Sequence, residues 1–240
     1  MITRLLVVLY SAFVIGGVGL YIASRRQTPA VRRTRLIKFA VYLLIIHIVV
    51  GAAIAGHLAF SGLVLLLVLL GARELVTAAR SAPALCLFAA LTIGAVYLVV
   101  AVCAVLFAWN ASPAIAVFVY IVVCAFDGFS QVAGQMLGRH QLAPRVSPGK
   151  TIEGSIGGLL AAAAITFPLS SFTGWYLART LSVVCFIAAA SLSGDLLASL
   201  VKRKCGIKDY AALLPGHGGI LDRFDSFLFA AASLFVVLGL

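Results

Sequence analysis

Long apolar runs alternate with short polar segments along the whole chain. A helix needs about 20 mostly apolar residues to cross the hydrocarbon core of a bilayer. The pattern therefore predicts an all-α, polytopic membrane protein with about eight transmembrane helices. They lie at roughly residues 5–23, 38–55, 58–78, 84–108, 112–137, 154–171, 180–200 and 223–240. We expect one membrane domain over 1–240, with N-terminal helices to about residue 110 and the polar motifs in about 111–240.

The composition supports this interpretation and excludes a soluble domain. Hydrophobic residues make up 63% of the 240 residues and charged residues 10%, whereas soluble domains average about 45–50% and about 25%. The five cysteines form no CxxC pair, and all but Cys205 lie in apolar runs. We therefore expect buried free thiols rather than metal ligands or disulfides.

The positive charge follows the predicted topology. A net charge of +11 is compatible with nucleic-acid binding, but 16 of the 18 Lys and Arg residues fall in 24–38, 73–83, 138–153 and 201–223. If the chain starts outside, these four segments all lie on the inner side, as the positive-inside rule requires. The distribution predicts an integral protein of the plasma (inner) membrane, with its polar segments in the cytoplasm and no nucleic-acid partner. The most basic segment, 24–38, is expected beside anionic headgroups.

Acidic residues are few, and six of the seven follow residue 126. Glu74, the exception, lies beside Arg73 and is expected to form a local ion pair near the inner surface. Four others lie in or at the inner ends of apolar spans, where an unpaired carboxylate is costly; they are Asp127, Asp195, Asp222 and Asp225. Pairing with an Arg of another helix explains any one of them. Four at one membrane level instead favour a site for Mg²⁺, which prefers oxygen ligands.

Helical spacing groups these acids into three stripes that converge on the cytoplasmic side. The stripes consist of Asp195, Ser199 and Lys202, of Asp222 and Asp225, and of Asp127, Gln131 and Gly134. The pairs Gly134/Gly138 and Gly154/Gly158 have the small-xxx-small spacing of closely packed membrane helices, and ligand contact explains them about as well.

Two segments carry the ingredients of a phosphate-binding site. In residues 199–226, four cations precede a Gly-rich run that lets backbone N–H groups approach an anion; these residues are Lys202, Arg203, Lys204 and Lys208, then Pro215, Gly216, His217, Gly218 and Gly219. Together with the following carboxylates and a metal, they suit phosphoryl or nucleotidyl transfer. The segment 147–154 (SPGKTIEG) has similar ingredients, although its Ser, Thr and Glu could equally cap a helix.

Residues 199–225 resemble the signature of phosphatidate cytidylyltransferases, also called CDP-diacylglycerol synthases. The matching positions are Ser199, Lys202, Arg203, Lys208, Asp209, Pro215, Gly216, His217, Gly218, Gly219, Asp222, Arg223 and Asp225. The run 147–158 and the pair Gly194-Asp195 are also similar, so the resemblance covers roughly residues 120–226. The chain departs from many members at 127–131 and at Gln135, which follows Gly134 where Arg is common.

The resemblance implies an enzyme of phospholipid biosynthesis, a homodimer, that makes CDP-diacylglycerol and pyrophosphate from CTP and phosphatidic acid. It implies Mg²⁺ as cofactor and allows a second cation. By motif position, Asp195, Asp222 and Asp225 bind metal, and Lys202, Arg203, Lys208 and Arg223 hold phosphates. Substrate contacts are expected from Ser147, Lys150, Thr151 and Ser199 and from the loop of Pro215, Gly216, His217, Gly218 and Gly219, with Asp127 as a further member of the site.

Two other functions stay open at this point. A CTP-dependent lipid kinase acting on a polyprenol or phytol would also need Mg²⁺, CTP and a membrane. A transporter could use the intramembrane acids as ion sites. The charged motifs lie in one half of the sequence, however, and so give no sign of the inverted repeat common in transporters.

Overall fold

The computed structural model describes residues 14, 17, 28–82, 85–169, 173–211 and 218–239. Within these residues the protein is a helical bundle with one small hairpin. The helices are α1 (Pro29–Ala55), α2 (His57–Arg80), α3 (Leu87–Asn110), α4 (Pro113–Leu137), α5 (Ile152–Thr166), α6 (Leu177–Lys204) and α7 (Leu221–Leu238). The strands β1 (Gln141–Ala143) and β2 (Ser147–Thr151) lie between α4 and α5, and a short 3₁₀ turn, Phe167–Leu169, follows α5.

Five of the described helices are long and apolar enough to cross a membrane: α1 from Val31, α2, α3, α4 and α6. They coincide with the predicted second, third, fourth, fifth and seventh spans, which confirms the mainly helical membrane fold. The predicted sixth span overlaps the 15-residue α5, and the predicted eighth corresponds to the 18-residue α7. The first predicted span lies outside the described residues except for positions 14 and 17. The total of about eight spans therefore stays a prediction.

Local sequence explains where several helices begin. Gly56, with φ of +115°, separates α1 from α2 in a backbone conformation that favours glycine. At the start of α4, the hydroxyl of Ser112 accepts a hydrogen bond from Ile115 N at 3.4 Å, with Pro113 next in the chain. At the start of α5, Thr151 Oγ1 accepts from Gly154 N at 3.0 Å. This confirms the predicted capping role of Thr151.

The centre of the bundle is α4, whose residues 116–123 are all buried. Its later turns pack closely on α5 through glycine. A Cβ atom at Gly154 would lie 2.7 Å from the carbonyl oxygen of Ser130, and one at Gly158 would overlap the Ser130 hydroxyl. Close packing between helices is thus confirmed as a role of Gly154 and Gly158.

The two ends of the bundle differ in chemistry. At one end, aromatic contacts join His57 to Trp109 and Phe118 to Trp175, with ring centroids 5.0 and 5.8 Å apart. At the other end, polar contacts join α2 to α7, α6 to α7, and the hairpin to α6. The predicted polar segment 138–153 and the described parts of 201–223 are thus at the same end of the bundle as residue 74.

The five cysteines are free, but they are not all buried. Cys205 is buried, Cys103 and Cys124 are half-buried, and Cys86 and Cys185 are exposed. The prediction of buried thiols is therefore wrong for Cys86 and Cys185. The apolar character of a sequence run predicts exclusion from water, and on a membrane helix lipid satisfies that requirement as well as protein does.

Candidate functional site

A cavity of about 330 Å³ lies at the polar end of the bundle, where α1, α4, α6, α7 and the hairpin meet. Apolar and aromatic residues of the lining include Tyr42, Ile45, Tyr120 and Phe126. The charged lining residues are Asp127, Lys150, Asp195, Lys202, Asp209, Asp222, Arg223 and Asp225. The cavity therefore unites acids, bases and an apolar surface.

The hairpin brings Lys150 into this cavity. Its antiparallel strands pair Gln141 with Thr151 and Ala143 with Ser147. From β2, the Nζ atom of Lys150 reaches to 2.5 Å from Oδ2 of Asp195. Thr151 also lines the cavity, whereas Ser147 lies half-buried on β2 and is not part of the lining. The structure thus brings Lys150 and Thr151 together at the site, and the substrate role of Ser147 stays a prediction.

Glu153 anchors the base of the hairpin. Its carboxylate accepts hydrogen bonds from Arg139 N at 3.0 Å and from His140 N at 3.2 Å, and it contacts Nδ1 of His140 at 2.6 Å. These bonds favour the ionised form, the one from Arg139 most strongly, and lower the pKa of Glu153 to about 2. Glu153 therefore holds the two ends of the hairpin together as an anion at neutral pH.

Asp222 has a partner on each carboxylate oxygen. Oδ1 lies 2.8 Å from Nζ of Lys202, while Oδ2 accepts from Tyr210 N at 2.8 Å and from Gly219 N at 2.9 Å. The side chains of Lys202 and Asp222 are only 11% and 3% exposed. Asp222 therefore joins the end of α6, the segment before residue 212 and the start of α7.

Tyr210 supports the same junction. Its hydroxyl donates to the carbonyl oxygen of Ala198 at 3.2 Å, and Nζ of Lys202 lies 5.4 Å from the centre of its ring. Burial raises the pKa of Tyr210, and the nearby carboxylates raise it further. The phenol therefore stays neutral and acts as a structural donor.

The other three carboxylates have oxygens with fewer protein partners. Ser191 donates to Asp127 at 3.0 Å, Ser199 donates to Asp195 at 3.3 Å, and Ser226 N donates to Oδ1 of Asp225 at 2.7 Å. Oδ2 of Asp225 is buried without a hydrogen-bond partner among the described residues. Asp225 interacts electrostatically with Asp195 and Asp127, which carry the same charge, and with Lys202, which carries the opposite charge. A buried carboxylate oxygen without a partner among the described residues, close to two further carboxylates, is a candidate place for a cation.

This donor set fits Mg²⁺ in part. Among the described residues, no group of three or more His, Cys, Asp or Glu side chains is arranged to hold a metal ion. Mg²⁺, however, is usually bound by one or two carboxylates together with water and substrate phosphates. Asp195 and Asp225 could supply those carboxylates, since both line the cavity. Asp222 already has three partners, so its metal role stays a prediction.

The structure separates the predicted phosphate-binding cations. Lys202 and Arg223 line the cavity, but Arg203 and Lys208 do not. Arg203 is exposed and donates from Nε to Val146 O at 3.4 Å and from Nη1 to Ile207 O at 3.3 Å, which ties α6 to the hairpin. Lys208 is exposed. The phosphate contacts of Arg203 and Lys208 stay predictions.

The Gly-rich loop is described only at its end. Pro215, Gly216 and His217 lie outside the described residues. Gly218 has φ of +80°, and a Cβ atom there would lie 2.9 Å from Oδ2 of Asp222. Gly218 therefore lets the chain turn tightly over Asp222, next to the N–H group that Gly219 donates.

Ser199 has a supporting position. It is buried and bonded to Asp195, and it is not part of the cavity lining. The predicted stripe of Asp195, Ser199 and Lys202 is present on α6. Within it, Ser199 donates to the carboxylate of Asp195 and so orients it. Direct substrate contact by Ser199 stays a prediction.

Sequence reasoning missed two contributions from the N-terminal helices. Glu74, expected to pair with Arg73, instead accepts hydrogen bonds from Ile220 N and Leu221 N, both at 2.9 Å. A single acid in the apolar span α2 was the signal that could have found it. Tyr42 of α1 lines the cavity, but one tyrosine in an apolar run gives no comparable signal.

The sequence of this chain is similar to a known protein family and to several individual proteins. The sequence model of the Cytidylyltransferase family matches residues 84–240. The chain is also similar to proteins named phosphatidate cytidylyltransferase. That of Staphylococcus saprophyticus is 39% identical over 123 residues, and that of Haemophilus influenzae 43% identical over 124 residues. These alignments cover 50% and 49% of this chain but 47% and 43% of the relatives, so the chain spans about half the length of the curated relatives it matches.

Proposed function

Because the chain belongs to the Cytidylyltransferase family, we propose that it transfers CMP from CTP to phosphatidic acid, giving CDP-diacylglycerol and pyrophosphate. The observation that carries this proposal is the cavity at the polar end of the bundle, which is lined by Lys150, Lys202 and Arg223 together with Asp195 and Asp225. The names of the similar proteins agree with it.

The chemistry requires alignment and charge neutralisation. An oxygen of the phosphatidate phosphate attacks the α-phosphorus of CTP, the new O–P bond forms, and the bond to the β-phosphate oxygen breaks to release pyrophosphate. The nucleophile is already an anion, so a general base is not needed. Holding two highly charged reactants in line is then the main task of the protein.

Cationic side chains perform part of this task. Lys202 and Arg223 line the cavity and would neutralise the triphosphate, whose β- and γ-phosphates gain charge as they leave. Lys150 neutralises Asp195 at 2.5 Å before substrate binds. From the same position at the end of β2, it can contact a phosphate that enters the cavity.

We propose Mg²⁺ as the metal, held by Asp195 and Asp225 and, by motif position, Asp222. When bound, the ion would shield the triphosphate and make the α-phosphorus more electrophilic. Oδ2 of Asp225, which has no hydrogen-bond partner within the described ranges, supports this assignment. Asp127 is held by Ser191 and interacts electrostatically with Asp195, so it adds negative charge to the same part of the cavity.

The apolar residues of the cavity lining suit a lipid substrate. Tyr42 and Ile45 of α1 and Tyr120 of α4 belong to membrane-spanning helices and line the same cavity as the charged residues. A phosphatidic acid whose acyl chains stay in the bilayer could therefore present its phosphate to the cations.

The orientation and assembly belong to the same proposal. We place the polar end of the bundle in the cytoplasm, in the plasma membrane, because 16 of the 18 Lys and Arg residues fall in segments predicted on that side. This gives the cavity access to CTP. We also propose a homodimer, as the family resemblance implies.

An acceptor panel tests the proposed reaction. The purified protein should consume CTP with Mg²⁺ and phosphatidic acid and release one pyrophosphate for each CDP-diacylglycerol formed. Polyprenol and phytol should not support turnover. Phosphorylation of either alcohol, with no turnover of phosphatidic acid, would contradict the proposal and favour the lipid kinase.

A further inference from the structure

We propose that Glu74 is a positioning residue for this reaction: from α2, it fixes the first turn of α7 and thereby places Asp222 and Asp225. This inference rests on the proposed function, because that function names the reaction whose carboxylates Glu74 would position. Glu74 precedes residues 84–240, the part of the chain that the family model matches. The proposed role follows from the hydrogen bonds between Glu74 and the start of α7.

The carboxylate of Glu74 caps α7 across 146 residues of sequence. Oε1 accepts from Ile220 N and Oε2 accepts from Leu221 N, both at 2.9 Å. The first N–H groups of a helix have no partner within the helix, and the N-cap residue of α7, Ile220, supplies no side-chain cap. Glu74 therefore satisfies two donors that α7 cannot satisfy itself, and its charge complements the helix dipole.

The fit around Glu74 is close. Glu74 is buried, with only 5% of the residue exposed. A Cβ atom at Gly219 would lie 2.5 Å from Oε2 and 2.8 Å from the Cδ atom of Glu74. The carboxylate and the backbone at residue 219 therefore occupy contiguous space, and any side chain at 219 must displace Glu74.

The contact leads directly to the cavity carboxylates. Gly219 N, next to the capped N–H groups, donates to Asp222. Asp222 lies in the first turn of α7, and Asp225 follows one turn later, with Oδ2 buried and without a hydrogen-bond partner in the described part of the chain. A displacement of the start of α7 would therefore move both carboxylates relative to Lys202 and Asp195. Misplacing reacting groups by about 1 Å can cost about a hundredfold in rate.

Glu74 acts through α7 rather than on the substrate. It is not part of the cavity lining, and each of its oxygens accepts from a backbone N–H group. A direct metal or proton-transfer role would require at least one oxygen to leave α7. Loss of Glu74 should therefore reduce the rate of the chemical step much more than the apparent affinity for CTP.

The first test replaces Glu74 with its neutral isostere. In Glu74→Gln the amide can accept from one N–H group only, so one charge-assisted bond is lost and an NH₂ group faces the other donor. We expect kcat to fall about ten- to a hundredfold, with KM for CTP within about threefold. Amide hydrogen exchange at residues 220–221 should accelerate. Thr77→Val is the matched control, because Thr77 is exposed on the same helix and its hydroxyl donates to Arg73 O within that helix. It should change neither kcat nor the exchange rate at residues 220–221.

The second test uses the contact with Gly219. In Gly219→Ala the new methyl group would push on Glu74, so kcat should fall. Adding Glu74→Asp, which is one methylene shorter and keeps the charge, should restore at least part of that loss. Since distant, independent sites combine additively, rescue would be specific to contact between the two residues. This pair also covers the case in which Glu74→Gln does not fold.

The results that would contradict the positioning role of Glu74 differ from those that would contradict the proposed reaction. Normal kcat in Glu74→Gln, lost kcat without faster exchange at 220–221, or simple additivity of Gly219→Ala and Glu74→Asp would each overturn the positioning role. If the wild type shows no turnover of CTP and phosphatidic acid, the proposed reaction fails. The exchange comparison still reports whether Glu74 holds the start of α7.

Discussion

Lys202 and Asp222 form a buried ion pair, with Nζ and Oδ1 2.8 Å apart. The pair links the last turn of α6 to the first turn of α7 and lies in the wall of the charged cavity. Removing one member of a buried pair leaves the other charge uncompensated, which costs about 3–5 kcal/mol. The contact is therefore structural as well as part of the proposed site.

We expect Lys202→Met to lower thermal stability in detergent and to abolish CTP turnover, because Asp222 loses its charge partner. The double variant Lys202→Met/Asp222→Asn should be more stable than Lys202→Met alone, since the uncompensated carboxylate is gone. Thermal unfolding of the two single variants and the double variant measures this coupling. Purely additive stability losses would show that the two side chains do not stabilise each other.

Asp222→Asn and Asp225→Asn should differ in stability although both should lose activity. Asp222 accepts from Lys202 and two backbone N–H groups, so Asp222→Asn should destabilise the fold by about 1–3 kcal/mol. In Asp225→Asn the carboxylate becomes a neutral amide. Since Oδ2 of Asp225 is buried without a partner among the described residues, stability should hold or rise. Turnover at saturating Mg²⁺ should fall at least about a hundredfold in Asp225→Asn.

Thermal unfolding and steady-state kinetics on the same preparations separate these effects. Leu197→Met serves as a control, because Leu197 is exposed on α6 and outside the cavity lining. Near-normal turnover in Asp225→Asn would exclude Asp225 as a metal ligand.

The hairpin should lose stability in acid because of Glu153. Its pKa is about 2 in the fold against an ordinary value of 4.5, so the unfolded hairpin binds more protons between these values. The stabilisation is complete above about pH 4.5 and is lost as the pH falls towards 2. Hydrogen exchange at residues 139–153, corrected for intrinsic rates, should show this loss. Glu153→Gln should remove the pH dependence; an unchanged profile would contradict the assignment.

Engineered cysteines test the orientation. Cys205 is a poor reporter since it is buried, and burial raises the pKa of its thiol, which leaves little reactive thiolate. In a cysteine-free background, a membrane-impermeant thiol reagent should label Lys204→Cys only from the cytoplasmic side. It should label Asn110→Cys, at the opposite end of the bundle, only from outside. The reverse pattern would separate the cavity from cytoplasmic CTP.

Sequence periodicity predicted the parts of the site that lie along one helix. The i, i+4 relation of Asp195 and Ser199 is a hydrogen bond in the structure, and Asp195 and Lys202 of the same stripe both line the cavity. Five of the predicted spans coincide with long apolar helices for the same reason: length and hydropathy are local properties of the chain.

Contacts between distant helices could not be predicted in this way. Glu74 lies in an apolar run, and nothing in its neighbourhood points to a partner at residues 220–221. Asp222 likewise has two partners from earlier segments, Lys202 and Tyr210, in addition to its neighbour Gly219. An acidic residue in a motif predicts a charged site, whereas its use as a ligand or as a junction depends on the packing of the helices.

The most direct test of the proposed reaction follows the phosphorus atoms of CTP. With α-labelled CTP, phosphatidic acid and Mg²⁺, label should enter a chloroform-soluble product, and added pyrophosphate should reverse its formation. With γ-labelled CTP, all label should leave as pyrophosphate. Transfer of γ-label to lipid without α-label would contradict the cytidylyltransferase assignment and identify a lipid kinase.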